Sequence, residues 1–96
     1  MTYSLEFHPD ALDEWGKLPN TVKERFKSKL KERLKNPHIP KSRLSGGYNL
    51  YKIKIKLPPF RLTYQVKDEE LMVVTLSIGK RDGDVYKKML QRYGKK

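Results

Sequence analysis

Tyr51, Ile53, Ile55 and Leu57 alternate with Lys52, Lys54 and Lys56, and this period of two commits the segment to a strand with one apolar and one cationic face. Pro58-Pro59 marks a turn. Phe60, Leu62, Tyr64 and Val66 then give the core side of a second strand. Two half-greasy strands in succession must bury their apolar side against further layers, and the flanking sequence supplies them.

Upstream, Tyr3, Leu5 and Phe7 alternate as a half-buried strand, and Pro9 opens a short helix carrying Ala11, Leu12, Trp15 and Leu18 that Pro19 closes. Thr21-Val22-Lys23-Glu24 matches a capping box for a second helix with the core stripe Val22, Phe26, Leu30 and Leu34, ended by Asn36-Pro37. Residues 37–47 read as a loop. Downstream, Asp68-Glu69-Glu70 turns the chain into Leu71–Ile78, the most apolar run and so the predicted central strand, which ends at Gly79-Lys80-Arg81. Asp82 or Asp84 caps a last helix bearing Val85, Tyr86, Met89, Leu90 and Tyr93. The order is βααβββα, an α+β fold with an antiparallel-rich sheet, two N-terminal helices on one face and a C-terminal helix.

Ninety-six residues fit one domain, taken as 1–96, which excludes a two-domain or cofactor-cradling enzyme. Without cysteine there is neither a disulfide framework nor a thiolate zinc site. Asp10, Asp13 and Glu14 on the first helix and Asp68, Glu69 and Glu70 in a turn form no metal cluster, so neither metal nor cofactor is expected. His8 and His38 read as surface or capping residues, and Tyr51, Tyr64 and Trp15 as packing. No stretch reads as a signal peptide or membrane span, which places the chain in the cytoplasm with no membrane partner.

Charge carries the first functional clue. The chain holds 22 Lys and Arg against 11 Asp and Glu, a net +11, and residues 17–61 alone account for +12 whereas residues 1–16 carry −4. A directional positive surface points to a polyanionic partner such as nucleic acid or an acidic protein. With Leu57 facing Phe60 across the Pro-Pro turn, Lys56 pairs with Arg61 and Lys54 with Thr63; a turn centred on Glu69 sets Arg61 opposite Ser77, whose parity Arg81 shares. Lys52, Lys54, Lys56, Arg61 and Arg81 therefore converge on one sheet face. A one-residue slip would expose Ile53, Ile55, Leu62 and Tyr64, so burial pins the register. Lys56 taken singly reads as a solvated residue, but five cations crowded together repel one another, and a phosphate backbone would relieve that repulsion.

Lys23, Lys27, Lys31 and Lys35 repeat every four residues on the second helix, each like-charge pair costing roughly 0.2–0.5 kcal/mol. A solvated face is the first reading of that stripe and a supporting grip on RNA the second.

Tyr51-Lys52-Ile53-Lys54, Arg61-Leu62-Thr63-Tyr64-Gln65-Val66 and Ile78-Gly79-Lys80-Arg81 with Val85-Tyr86 closely resemble the RelE toxins of bacterial toxin–antitoxin pairs. Phe7, Ala11-Leu12, Glu14-Trp15 and Lys17-Leu18 extend the resemblance over nearly the whole chain. It implies a ribosome-dependent endoribonuclease that enters the ribosomal A site, contacts ribosomal RNA and cuts messenger RNA there. It further implies that Lys52, Lys54, Arg61, Arg81 and Tyr86 form the active site; beside that set, the basic residues Lys56, Arg43, Lys80, Lys23, Lys27 and Lys31 are expected as further RNA contacts. Ser45 stands where the family pattern has a basic loop residue, and the segment from Arg81 to Tyr86 is one residue shorter than that pattern.

RNA carries its own nucleophile, the 2′-hydroxyl, so cleavage to a 2′,3′-cyclic phosphate needs a base, cations for the developing charge and an acid for the leaving 5′-oxygen. Like charge disfavours a protonated lysine, which suits Lys54 as the base with Lys52 supporting it. Arg61 and Arg81 would clamp the phosphate as two-pronged donors, and Tyr86 would stack on a base or orient the nucleophile.

The resemblance also implies an acidic, partly disordered RelB-like antitoxin, with operator DNA contacted only through the antitoxin. Two rivals stand beside this reading. One is a noncatalytic basic module gripping RNA by phosphate contacts; the other is a ParE-like toxin acting on DNA gyrase.

Overall fold

The computed structural model describes residues 2–80 and 83–93. The alternating segments form β1 (Ser4–Phe7), β2 (Leu50–Ile55), β3 (Phe60–Lys67) and β4 (Met72–Lys80) in one sheet of order β1-β4-β3-β2. β1 runs parallel to β4 and the other two contacts are antiparallel. Helices α1 (Pro9–Gly16) and α2 (Asn20–Lys35) carry the chain from one edge strand to the other, and α3 (Val85–Arg92) follows β4. The predicted βααβββα order is the observed one.

Alternation sends the two faces of the sheet to different layers. Val22, Phe26 and Leu30 of α2 pack on Tyr51, Ile53, Leu62 and Tyr64, with Trp15 of α1 joining at the margin. On the opposite face Met89 of α3 packs on Leu50, Val74 and Leu76. The cationic residues of β2 and β3 lie on this second face, beside α3 rather than beneath it.

Both predicted registers are corrected. Lys54 stands opposite Arg61 and Lys52 opposite Thr63, two residues from the expected pairing, because neither Pro58 nor Pro59 can donate to a ladder and the connection lengthens to Lys56–Pro59. A shift of two keeps parity, so the shared face survives. In the next pair Thr63 stands opposite Ser77 but Tyr64 opposite Thr75, which leaves Leu76 as an extra residue in β4. This bulge matters. Without it Arg61 would oppose Ile78; with it Arg61 opposes Gly79, and Ile78 returns to the α2 core.

Helix starts and stripes also differ from expectation. α2 begins at Asn20 with Pro19 in the N-cap position and no side-chain cap, so the Thr21 capping box does not form: the fixed φ of proline starts the helix before Thr21 can cap it. Asp84 occupies the N-cap position of α3 without a side-chain bond, and Asp82 lies outside the described residues. Leu12 and Leu90 are exposed, since helices of eight residues bury only a narrow stripe. His8 does cap, accepting from the Asp10 N–H at 3.2 Å through Nδ1.

Candidate active site

Lys52 and Lys54 leave β2, Arg61 leaves β3, and Tyr86 comes from the first turn of α3. Leu50 and Lys52 turn their carbonyls to the free edge of β2, where they accept from Leu44 N at 2.8 Å and Arg33 Nη1 at 3.2 Å. By alternation Lys54 and Arg61 form a non-hydrogen-bonded pair, the position at which facing side chains approach most closely. Among the described residues no carboxylate makes an ion pair with Lys52, Lys54, Lys56 or Arg61. Glu32 is the carboxylate that lines a cleft with Lys54 and Lys56, and without an ion pair among the described residues the four cations keep their charge available to an anion.

Arg61 is held from above. Its Nη1 donates to the Tyr86 hydroxyl at 2.9 Å, and its Cζ lies 5.6 Å from the centroid of the same ring. Below them a hydroxyl chain fixes the floor: Thr63 and Ser77, both fully buried, share a hydrogen bond, and Ser77 Oγ donates to the Val85 carbonyl at 2.8 Å. That bond ties the start of α3 to β4 one residue before Tyr86.

A cleft shared by Lys54, Lys56, Arg25, Lys29 and Glu32 runs along the end of β2, and two further clefts meet at Lys54. One is lined by Lys54, Ile55, Lys56, Pro59 and Arg61 on the cationic face. The other lies beyond the β2 edge, where Lys29 and Arg33 of α2 and Lys41 face Lys52 and Lys54. Arg33 is fixed there, donating to Tyr64 Oη at 2.9 Å and Ser42 Oγ at 3.3 Å. A strand of phosphates passing Lys54 thus meets positive charge on both sides of the sheet edge.

The predicted set is assembled in part. Lys52, Lys54, Lys56, Arg61 and Tyr86 come together, whereas Arg81 lies outside the described residues. Arg43 sits at the free β2 edge, bridged through its backbone to Tyr51. Lys80 ends β4 with the parity of Ile78 rather than of Gly79, away from Arg61. Lys23, Lys27 and Lys31 belong to α2, across the sheet from the cationic face. Lys27 and Lys31 instead rim a groove floored by Leu5, Phe7, Trp15 and Leu30, and Lys27 pairs with Glu24 at 3.2 Å.

Tyr51 and Tyr64 are buried and stack on each other with centroids 5.5 Å apart, which makes them core rather than platforms. Burial pushes the Tyr64 phenol up, against the pull of Arg33, so it stays neutral while donating to the Pro37 carbonyl. The two histidines have separate partners: His38 bonds Tyr51 Oη at 3.0 Å and Asp68 at 2.7 Å, far from the cap role of His8. Asp68 is more than a turn residue. Hydrogen bonds from Tyr3, then His38, hold its carboxyl below the usual carboxylate range.

Lys29 and Arg33 were missed as site residues. Arg25, Lys29 and Arg33 repeat every four residues as the neighbouring lysines do, and which stripe faces β2 depends on a helix rotation that spacing alone does not set.

The chain's residues 5–85 match the family described as the ParE toxin of type II toxin–antitoxin systems, parDE. It is 44% identical over 93 residues to the mRNA interferase toxin RelE of Escherichia coli strain K12, covering 96% of this chain and 98% of that one. A free arginine-to-alanine double mutant of E. coli RelE superposes with a TM-score of 0.89 at 43% identity, over 96% of this chain and 98% of the other. The toxin of the intact E. coli RelBE toxin–antitoxin complex superposes with a TM-score of 0.81 at 44% identity, over 84% and 99%.

Proposed function

Because the chain belongs to the ParE and RelE family of type II toxins, with RelE among its similar relatives, we infer that it is the toxin of such a pair and cleaves messenger RNA as an mRNA interferase. Its partner is an antitoxin of the RelB kind, since the RelE chains it matches assemble with RelB. The family model is described by its ParE members, so a gyrase-directed reading must be weighed; 44% identity to a RelE chain over 93 residues and the Lys52, Lys54 and Arg61 set, which makes no ion pair among the described residues, favour RNA.

The finer proposal is that cleavage takes place in the ribosomal A site. There the message would lie across β2 and β3 with its scissile phosphate over Arg61. Arg61 and Arg81 neutralise the charge that grows on the non-bridging phosphate oxygens, because a guanidinium stays charged and binds two oxygens at once. Lys54 takes the proton of the 2′-hydroxyl, whose oxygen attacks phosphorus; the bond to the 5′-oxygen breaks, and that oxygen takes up a proton from water as it leaves. Lys52 adds charge, and Tyr86, fixed by Arg61, orients the ribose or stacks on its base. Operator DNA would be reached through the antitoxin alone.

The observation that supports this reading is the direct opposition of Lys54 and Arg61, neither of which is ion-paired among the described residues. Incubating the protein with translating ribosomes and mapping fragment 5′ ends tests it. Codon-phased cuts are expected on ribosomes, and intact but stalled messages, or arrested gyrase, would assign the chain to one of its rivals.

A further inference from the structure

β1 ends at Phe7, opposite Thr75, so among the described residues β4 from Leu76 onward has no strand on its outer side. Two backbone groups on that stretch of edge still find partners. The carbonyl of Leu76, the bulge residue, accepts from Arg92 Nη1 at 2.8 Å, and the N–H of Ile78 donates to Glu14 Oε1 at 3.1 Å. Arg92 and Glu14 are joined to each other by two bonds of 2.9 Å, Nη1 to Oε1 and Nη2 to Oε2, and their side chains are only 12% and 18% exposed. One donor and one acceptor, locked together, complete the edge of β4 as the next residues of a neighbouring strand would.

The pair joins three elements. Glu14 lies on α1, Arg92 in the last turn of α3, and Lys88, one turn earlier on α3, reaches the same carboxylate at 3.4 Å. At its other end α3 is tied to β4 through Ser77 and Val85, immediately before Tyr86. The residues that follow the clamped part of β4 are Gly79, opposite Arg61, then Lys80 and Arg81. The clamp therefore acts on the helix that carries Tyr86 and on the strand that leads to Arg81, without touching the cationic face itself.

We propose that Glu14 and Arg92 are positioning residues for cleavage: by substituting for a missing strand beside Leu76 and Ile78 they fix the rotation of α3 that delivers the Tyr86 hydroxyl to Arg61. This rests on the mRNA-cleavage reading for its kinetic consequence, but the geometry it claims is visible in the free protein. The bidentate, planar match is what counts, so a lysine at position 92 keeps the charge and cannot make both bonds.

The decisive comparison uses Arg92→Lys and Glu14→Gln in the full chain. Three measurements are needed: the melting transition, the saturating cleavage rate on ribosome complexes, and NMR detection of the Arg61 guanidinium protons and Tyr86 ring in the ribosome-free toxin. For the folded variants the cleavage rate at saturation should fall about 10- to 100-fold with ribosome affinity changed by less than about threefold, as expected for misplacement of a catalytic group. The protected Arg61 proton bonded to Tyr86 should be lost in parallel. If both variants melt earlier but keep that proton and the wild-type saturating rate, the pair is merely structural and the proposal is overturned. If the wild type cuts no message, the functional reading fails instead, and loss or retention of the Arg61 signal still decides the positioning claim.

Discussion

Arg61 grips Tyr86 twice, through a 2.9 Å hydrogen bond to the hydroxyl and through contact of its guanidinium with the ring face at 5.6 Å. The two contacts separate by mutation. Tyr86→Phe keeps the ring and should lower single-turnover cleavage about 10-fold, while Tyr86→Ala removes both and should cost about 10²- to 10³-fold. Equal losses would assign the whole role to the hydroxyl.

Lys54 and Arg61 face each other across the hairpin, so charge and base roles for Lys54 must be distinguished. Arginine at position 54 keeps the charge but cannot release a proton near neutral pH. Lys54→Arg should therefore lose activity as fully as Lys54→Ala, on the order of 10²- to 10⁴-fold. Substantial retention in the arginine variant would make Lys54 an electrostatic residue and send the search for a base elsewhere.

Arg81→Ala should reduce the cleavage rate by about 10²- to 10³-fold with a far smaller loss of ribosome binding, because a clamp on the developing phosphorane acts in the transition state. Filter binding beside single-turnover kinetics reads both quantities. Losses of equal size would reduce Arg81 to a docking contact.

Glu14 gives a pH signature. Burial pushes its carboxyl up, but hydrogen bonds from Arg92 and the Ile78 N–H and the Arg92 charge outweigh this and leave it lowered. A carboxyl lowered in the folded state stabilises above its unfolded value near 4.3, and that stabilisation disappears as pH falls through the folded value. Glu14→Gln should cost about 1–3 kcal/mol at pH 7, since it removes the bidentate partner of Arg92 and leaves Asp10 at 3.8 Å from Arg92 Nε, and the difference from wild type should shrink below about pH 4. Denaturant melts across pH 3–7 read it; a pH-independent difference would refute the linkage.

Thr75 Oγ1 is buried without a hydrogen-bond partner among the described residues. Thr75→Val keeps the shape and removes an unsatisfied hydroxyl, so it should be neutral or raise stability by up to about 1 kcal/mol with cleavage unchanged. A loss of stability would reveal a partner for that hydroxyl.

Where each feature could be read from sequence follows from what fixes it. Parity needs only alternation, so Lys52, Lys54, Lys56 and Arg61 were legible as one face even though the hairpin register slips by two. The Leu76 bulge was not legible, because no local rule announces an extra residue inside an apolar run, yet it keeps Ile78 in the core and Arg61 opposite Gly79. Leu71, assigned to the strand by its hydrophobicity, sits instead in the left-handed region at φ 51° and ends the turn. Glu14 and Arg92 were equally hidden. They are 78 residues apart, and only the early end of β1 brings a carboxylate and a guanidinium to the same stretch of bare edge.

The central claim is that this cationic face uses the RNA's own 2′-hydroxyl, and substituting a single nucleotide tests it most directly. A ribosome-bound message with one 2′-deoxy residue at the mapped cut site should resist the toxin, while the all-ribose message should yield fragments ending in a 2′,3′-cyclic phosphate. Cleavage of the deoxy message at the same bond, or a 3′-hydroxyl end on the normal product, would contradict the account.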